Sequence, residues 1–187
     1  MEGKIVYFEK PGRDNTEETL RIAKQRADEL GIKTIVVAST VGDTGVRATE
    51  VFKGMKVVVV THHAGMRDPD TQELTDENRQ KIESKKGIIL TTMHSFGGVS
   101  RAVRLKFDTI AIGEIIANVL RIFGQGMKVV LECALMATDA GLIRTDEAII
   151  SIAGTGRGAD TAVVLKPVNS TRFFDIKVQE ILCKPHL

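Results

Sequence analysis

The chain has no tryptophan, one tyrosine, two cysteines and four prolines among its 187 residues. Aromatic residues make up only 4% of it, which leaves little surface on which nucleobases could stack, and its net charge of +2 is spread along the chain. Both features speak against a nucleic-acid partner. Cys133 and Cys183 stand alone in apolar segments, with neither Cys-x-x-Cys spacing nor the cysteine density of a disulfide framework, so a reducing cytoplasm is the expected setting. No apolar run is long enough to span a bilayer, and no membrane partner is expected. The opening MEGKIVYFEK carries a charge every few positions and lacks a small-residue cleavage pattern, so a chain that starts here without a secretory signal is expected.

What is present fits a globular protein: 43% hydrophobic and 27% charged residues, in a length suited to one domain over 1–187. Lys4 to Glu9 reads as a strand. Apolar residues Leu20, Ile22, Ala23, Ala27 and Leu30 predict a helix from Thr16 to Leu30 that Gly31 ends. A strand over Thr34 to Ala38, a short helix in GVRATEVFKG, the apolar strand MKVVVVTHH, a polar helix around Asp76 to Lys86 and the strand GIILTT follow in turn. Near-continuous β-branched runs are strands covered on both faces. The βαβα alternation therefore predicts an α/β fold, a three-layer α/β/α sandwich around a mostly parallel sheet. MHSFGGVSRAVRLKFDT reads as a long glycine-containing connection, IAIGEIIANVLRIFG as a helix, and MKVVLECALMATDAGLI as a helix ending at Gly141, although MKVVLE alone fits a strand. AIISIA and TAVVLKPV flank GTGRGAD as a strand and its antiparallel return, and FFDIKVQEILCKP fits either strand or helix.

Ligands of open parallel sheets bind beyond the carboxyl ends of the strands. The loops at those ends are STVGDTG, THHAG, TTMHSFGG and GTGRG, rich in hydroxyls, histidines and glycines, and they predict one shared site. Ser39, Thr40 and Thr44 offer hydroxyls, and Gly42 and Gly45 allow close backbone approach at a helix start, which together suit an anion. The competing reading is that Thr44 or Asp43 merely caps the helix. No Gly-Lys-Ser/Thr is present, so this is not a P-loop. GTGRGAD followed by a strand does not fit the dinucleotide fingerprint, which lies between a first strand and a helix.

IKTIVVASTVGDTGVRATEVFKGMKVVVVTHHAG resembles the C-terminal α/β domain of pyruvate kinase, in which a strand, a hydroxyl- and glycine-bearing loop, a helix and a strand ending in Val-Thr come in that order. AIISIAGTGRGADTAVVLKP resembles the closing strand, glycine-rich loop and strand of the same domain. The resemblance implies a stand-alone domain of this type, of the kind found in archaea and bacteria. It implies a phosphate loop of Ser39, Thr40, Gly42 and Thr44, with Gly45 beside them, covered by Gly154, Thr155, Gly156 and Arg157. Asp43 departs from the basic residue often found in the kinase loop, which weakens a sugar bisphosphate there. The β/α barrel that carries the kinase's metal and substrate groups is absent from this sequence, so the chain is not expected to be a pyruvate kinase by itself.

His62, His63 and His94 follow strands that share an edge, and each is a candidate general acid or base or a ligand contact. A metal site would need more ligands than these histidines and Asp68 supply, and none is expected. Glu132 and Asp139 share a face of an apolar helix with Met136; both, like Glu114, are either acid–base groups or structural salt-bridge and helix-end partners. Val41, Thr61, Thr92, Met93, Ser95 and Phe96 are expected to line the pocket. The expected function is binding of a phosphorylated small molecule, a mononucleotide such as FMN or a sugar phosphate, by a sensor or cofactor-binding protein. The alternatives are an enzyme with a histidine acid or base and a regulatory subunit of a partner. The two apolar helices predict a homo-oligomer.

Overall fold

Adjacent residues of one strand divide their side chains between two hydrophobic cores. In the computed structural model, which describes residues 3–187, Ile35 and Val37 pack into one core while Val36, between them, packs into the other. That is what a pleated strand of β-branched residues does when both faces are covered. The strands are β1 (Val6–Phe8), β2 (Thr34–Ala38), β3 (Lys56–Val60), β4 (Ile88–Leu90), β5 (Ile149–Ala153), β6 (Thr161–Lys166) and β7 (Lys177–Pro185). They form one sheet in the order β1-β7-β6-β5-β2-β3-β4. β2 pairs in parallel with β3 and β5, and β3 with β4, whereas β6 runs antiparallel to β5 and β7. The expected mostly parallel sheet with an antiparallel return near its end is therefore the observed one. It places the loops after β2, β3, β4 and β5 along a single edge.

Helices α1 (Thr16–Leu30), α2 (Asp43–Val51) and α3 (Asp76–Ser84) cover one face. α1 buries Leu20, Ala23 and Ala27 and stops at Gly31, whose left-handed backbone (φ 69°) lets the Ile32 amide reach the Ala27 carbonyl at 2.9 Å. On the other face α6 (Gln125–Asp139) is buried from Gly126 to Thr138 apart from Val129. It lies between the sheet and α5 (Ile112–Arg121), so it is apolar on nearly every side, which is why part of it also reads as a strand.

Two segments differ from the sequence expectation or resolve it. The supposed connection between β4 and α5 contains a helix, α4 (Gly98–Phe107), which has no buried residue and packs chiefly on α5. Gly97 and Gly98 suggest a loop, but Gly97 stands at the N-cap of the helix and Gly98 is its first residue. The C-terminal segment left open between helix and strand is β7, preceded by a 3-10 turn over Ser170–Asp175. Among the described residues no helix is long and apolar enough to cross a membrane.

Candidate functional site

The loop after β2 is tied down by its own polar groups. Ser39 Oγ accepts a hydrogen bond from the Gly45 amide (3.1 Å), inside the first turn of α2. Gly42 is left-handed (φ 108°), and a Cβ there would lie 2.4 Å from Asn78 Cβ and 2.7 Å from Leu74 Cδ1. A Cβ on Gly45 would meet Val59 Cγ1 at 2.6 Å. Both glycines are thus required by the packing of α2 against α3 and β3. Asn78 completes the joint, donating to the Val41 carbonyl (3.0 Å) and the Asp43 carboxylate (2.9 Å). Thr44 is buried at the helix start.

Thr40 leads towards the histidines, its hydroxyl 3.5 Å from His62 Nε2. His62 Nδ1 is 2.6 Å from Glu73 Oε2, and the Gln72 amide donates to the His62 carbonyl at 3.1 Å, so the ring is held from behind. Burial pushes the Glu73 carboxyl up, but the His62 contact and the charges of His62, Arg67 and Arg157 outweigh it and hold the group below the usual carboxylate range. Ring centroids of His62 and His63 lie 5.4 and 5.5 Å from that of His94. The three histidines picked out from the sequence are therefore brought together.

The loop after β5 is organised by Asp160, which is fully buried. Its Oδ2 accepts from the amides of Gly12 (2.8 Å) and Thr155 (3.0 Å), and its Oδ1 from the Thr161 hydroxyl (2.7 Å). Gly154 sits where a Cβ would come within 2.5 Å of the Gly158 carbonyl oxygen. Gly156 faces open space, and Arg157 is exposed, near enough for its charge to act on Glu73.

A cleft of about 460 Å³ opens beside the histidines, walled by α4, α5 and the start of α6. His63, His94 and Phe96 line it, as does Glu114; the 39–45 and 154–157 loops do not, nor do His62, Thr61, Thr92, Met93 and Ser95. Thr61 instead turns its hydroxyl to Thr91 (2.7 Å), while Met93 and Ser95 are exposed. At the floor, Glu132 is 2% exposed. Its Oε1 accepts from the Phe96 amide (3.0 Å); its Oε2 pairs with the buried Lys128 ammonium and lies 3.4 Å from His94 Nδ1. Burial would raise this carboxyl, but His94 and Lys128 hold it down at about 2. It is an anion throughout the neutral range. Asp139, a full two turns further along α6, plays a structural part instead, accepting from the Ser170 amide (3.0 Å) and the Asn169 side chain (3.1 Å).

The cleft walls are cationic. Arg104 pairs with Glu114 (2.6 Å), whereas Arg121 contacts only the neutral side chains of Gln125 (2.8 Å) and Asn118 (2.9 Å), and Arg101 reaches Met66 Sδ at 3.5 Å. Among the described residues, neither Arg101 nor Arg121 has a carboxylate at ion-pair distance. Two buried side-chain atoms among those residues lack a hydrogen-bond partner, His94 Nε2 and Glu114 Oε2, and both side chains line this cleft. No group of three or more His, Cys, Asp or Glu residues is arranged to hold a metal ion among the described residues.

The fold agrees with the match of residues 17–165 to the family model for the pyruvate kinase alpha/beta domain. The chain belongs to this family. Solved pyruvate kinases from Cryptosporidium parvum are similar to it: one at 12% identity over 82% of this chain, with a TM-score of 0.41, and one in complex with ADP at 13% identity over 91%, with a TM-score of 0.37. The chain spans 23% and 24% of the length of those two enzymes. Within this pyruvate kinase alpha/beta-domain protein, Arg101, Arg104, Arg121 and Lys128 are the cationic cleft residues that sequence reasoning missed. Arg101 and Arg104 fell in the segment read as a long connection. A signal existed for Lys128: it stands four residues before Glu132 in an otherwise apolar helix, the spacing of an intrahelical ion pair.

Proposed function

We propose that the protein binds a phosphorylated small molecule, a mononucleotide such as FMN or a sugar phosphate, in the cleft beneath α4 and α5, as a sensor or cofactor-binding protein. The observation that carries this reading is the pair of guanidinium groups, Arg101 and Arg121, beside the cleft without carboxylate partners among the described residues. A guanidinium grips phosphate oxygens through parallel hydrogen bonds. Phe96, Met66 and Ile110 supply apolar lining, and the cleft falls within the roughly 300 to 1,000 Å³ of small-molecule sites. This reading moves the anion away from the 39–45 loop, whose serine and glycines already have structural partners. Calorimetric titration with FMN and with ribose 5-phosphate tests it. Arg101→Ala and Arg121→Ala should each weaken the bound phosphate by about 1.5 to 3 kcal/mol, and unchanged affinity in both would refute it.

An enzymatic reading is favoured by the two carboxylate–imidazole pairs, Glu73 with His62 at 2.6 Å and Glu132 with His94 at 3.4 Å. Such pairs orient an imidazole for proton transfer. Turnover of a phosphorylated substrate that survives both His62→Ala and His94→Ala would dispose of it.

The protein also carries an apolar face suited to a second copy. Ile112, Ile115 and Val119 line the outer side of α5 at helical spacing, with Ile122 just past its end, each more than half exposed, beside Val99, Leu105 and Phe107 of α4. A patch of that extent is seldom left to water, and self-association is the common solution. Light scattering should give an oligomer that Ile115→Glu with Val119→Glu converts to a monomer.

A further inference from the structure

His94 and Glu114 each reach the cleft with one buried atom left over. His94 Nδ1 lies 3.4 Å from Glu132 Oε2. Glu132 also accepts from Lys128 and from the Phe96 amide and is ionised, so it can only accept, and Nδ1 is the His94 nitrogen that presents a proton to it. In the neutral imidazole with its proton on Nδ1, Nε2 is a lone pair. It has no partner, although the rings of His62 and His63 flank His94, Lys128 of α6 pairs with the same carboxylate, and Arg101 of α4 shares the cleft. On the α5 wall, Glu114 Oε1 accepts from Arg104 Nε at 2.6 Å, and its Oε2 is likewise buried and unpartnered among the described residues. Both leftover atoms are acceptors. Buried acceptors without donors are rare because each costs the free energy of its lost hydration.

Phosphate oxygens cannot satisfy them, being acceptors themselves, and a ligand carboxylate beside Glu114 would add like-charge repulsion. Hydroxyl groups can. We propose that His94 and Glu114 determine specificity in this cleft by accepting hydrogen bonds from the hydroxyls of a phosphorylated polyol whose phosphate is held by Arg101 and Arg121. The assignment rests on the phosphate-binding reading and narrows it: the bound molecule carries hydroxyl donors between its phosphate and the His94 floor, and a phosphorylated alkyl chain of equal length and charge is a poor substitute.

D-Ribitol 5-phosphate and n-pentyl phosphate are the probes, titrated by calorimetry at pH 7.5 into the whole protein. Two substitutions delete the acceptors with little change of shape. His94→Asn keeps an N–H near the Nδ1 position for Glu132 and removes Nε2, while Glu114→Gln keeps an oxygen for Arg104 and can turn its amide donor towards the cleft. Each should weaken D-ribitol 5-phosphate about tenfold and leave n-pentyl phosphate within about twofold. Equal losses for the two probes, or no loss for either, would overturn the hydroxyl assignment while the phosphate site stands. Wild-type protein that binds neither probe would overturn both.

Discussion

Gly12 and Asp160 are 148 positions apart in the chain and joined by a 2.8 Å hydrogen bond, from the Gly12 amide to Asp160 Oδ2. With the Thr155 amide and the Thr161 hydroxyl also bound, one buried carboxylate links the first connection of the chain to the loop after β5. Asp160→Ala strands those donors. The expected loss is about 3 kcal/mol of unfolding free energy, since hydrogen bonds to a charged group are worth about 1.5 to 3 kcal/mol each and are not additive. Urea denaturation monitored by circular dichroism measures it, and a loss below about 1 kcal/mol would mean that water replaces the side chain.

Substitution at Gly42 should report on packing before it reports on ligand. Its φ of 108° and the 2.4 Å approach of a Cβ to Asn78 leave no room for a side chain. Gly42→Ala is expected to lower stability by about 1 to 3 kcal/mol with no ligand present, a loss readable as a drop in melting temperature. An unchanged melting temperature would return this glycine to the list of ligand contacts.

The two thiols should be silent. Burial pushes the Cys133 thiol far up and that of Cys183 up to about 12, and both residues are buried. A disulfide reagent at pH 8 should find no reactive thiol in the folded protein and both after denaturation, because the thiolate is the reactive species. Prompt labelling of the native state would place one of them in a mobile or opened region.

Acid should destabilise the protein through Glu73 and Glu132. Both carboxyls are held below their ordinary value of 4.5 in the folded state, Glu132 at about 2. A depressed pKa contributes stability that is complete above the unfolded value and is lost as pH falls through the folded one. Melting temperature should therefore stay level from neutrality to about pH 5 and fall between pH 4.5 and 2. Glu132→Gln should melt lower at pH 7 yet lose less over that acid range; a parallel acid limb in the variant would exclude Glu132 as a source.

Strand positions were the most legible part of the chain, because Ile35–Val37 and Val57–Val60 leave a β-branched run no better place than a doubly covered sheet. The convergence of His62, His63 and His94 followed from the same parallel order. α4 was not legible: its two leading glycines suggest a loop, and its apolar residues Val99, Leu105 and Phe107 are exposed rather than packed in the core. The cleft depends on that helix, so Arg101 and Arg104 could not be placed without it. The glycines of the 39–45 loop were visible, but their reason lay in Asn78 and Leu74, remote in sequence and close in space.

β1 pairs only with β7, Val6 beside Cys183 and Phe8 beside Pro185. During synthesis β1 must therefore wait for β7, and the Cys183–Pro185 end of β7 is covered only when nearly the whole domain has emerged. Such long-range pairings slow folding. Until it forms, the Cys183–Pro185 end of β7 is an open edge able to pair with another molecule's strand. A nascent chain, or one clipped between β1 and α1, would thus be more prone to aggregate than the intact protein, with Cys183–Pro185 as the newly exposed segment.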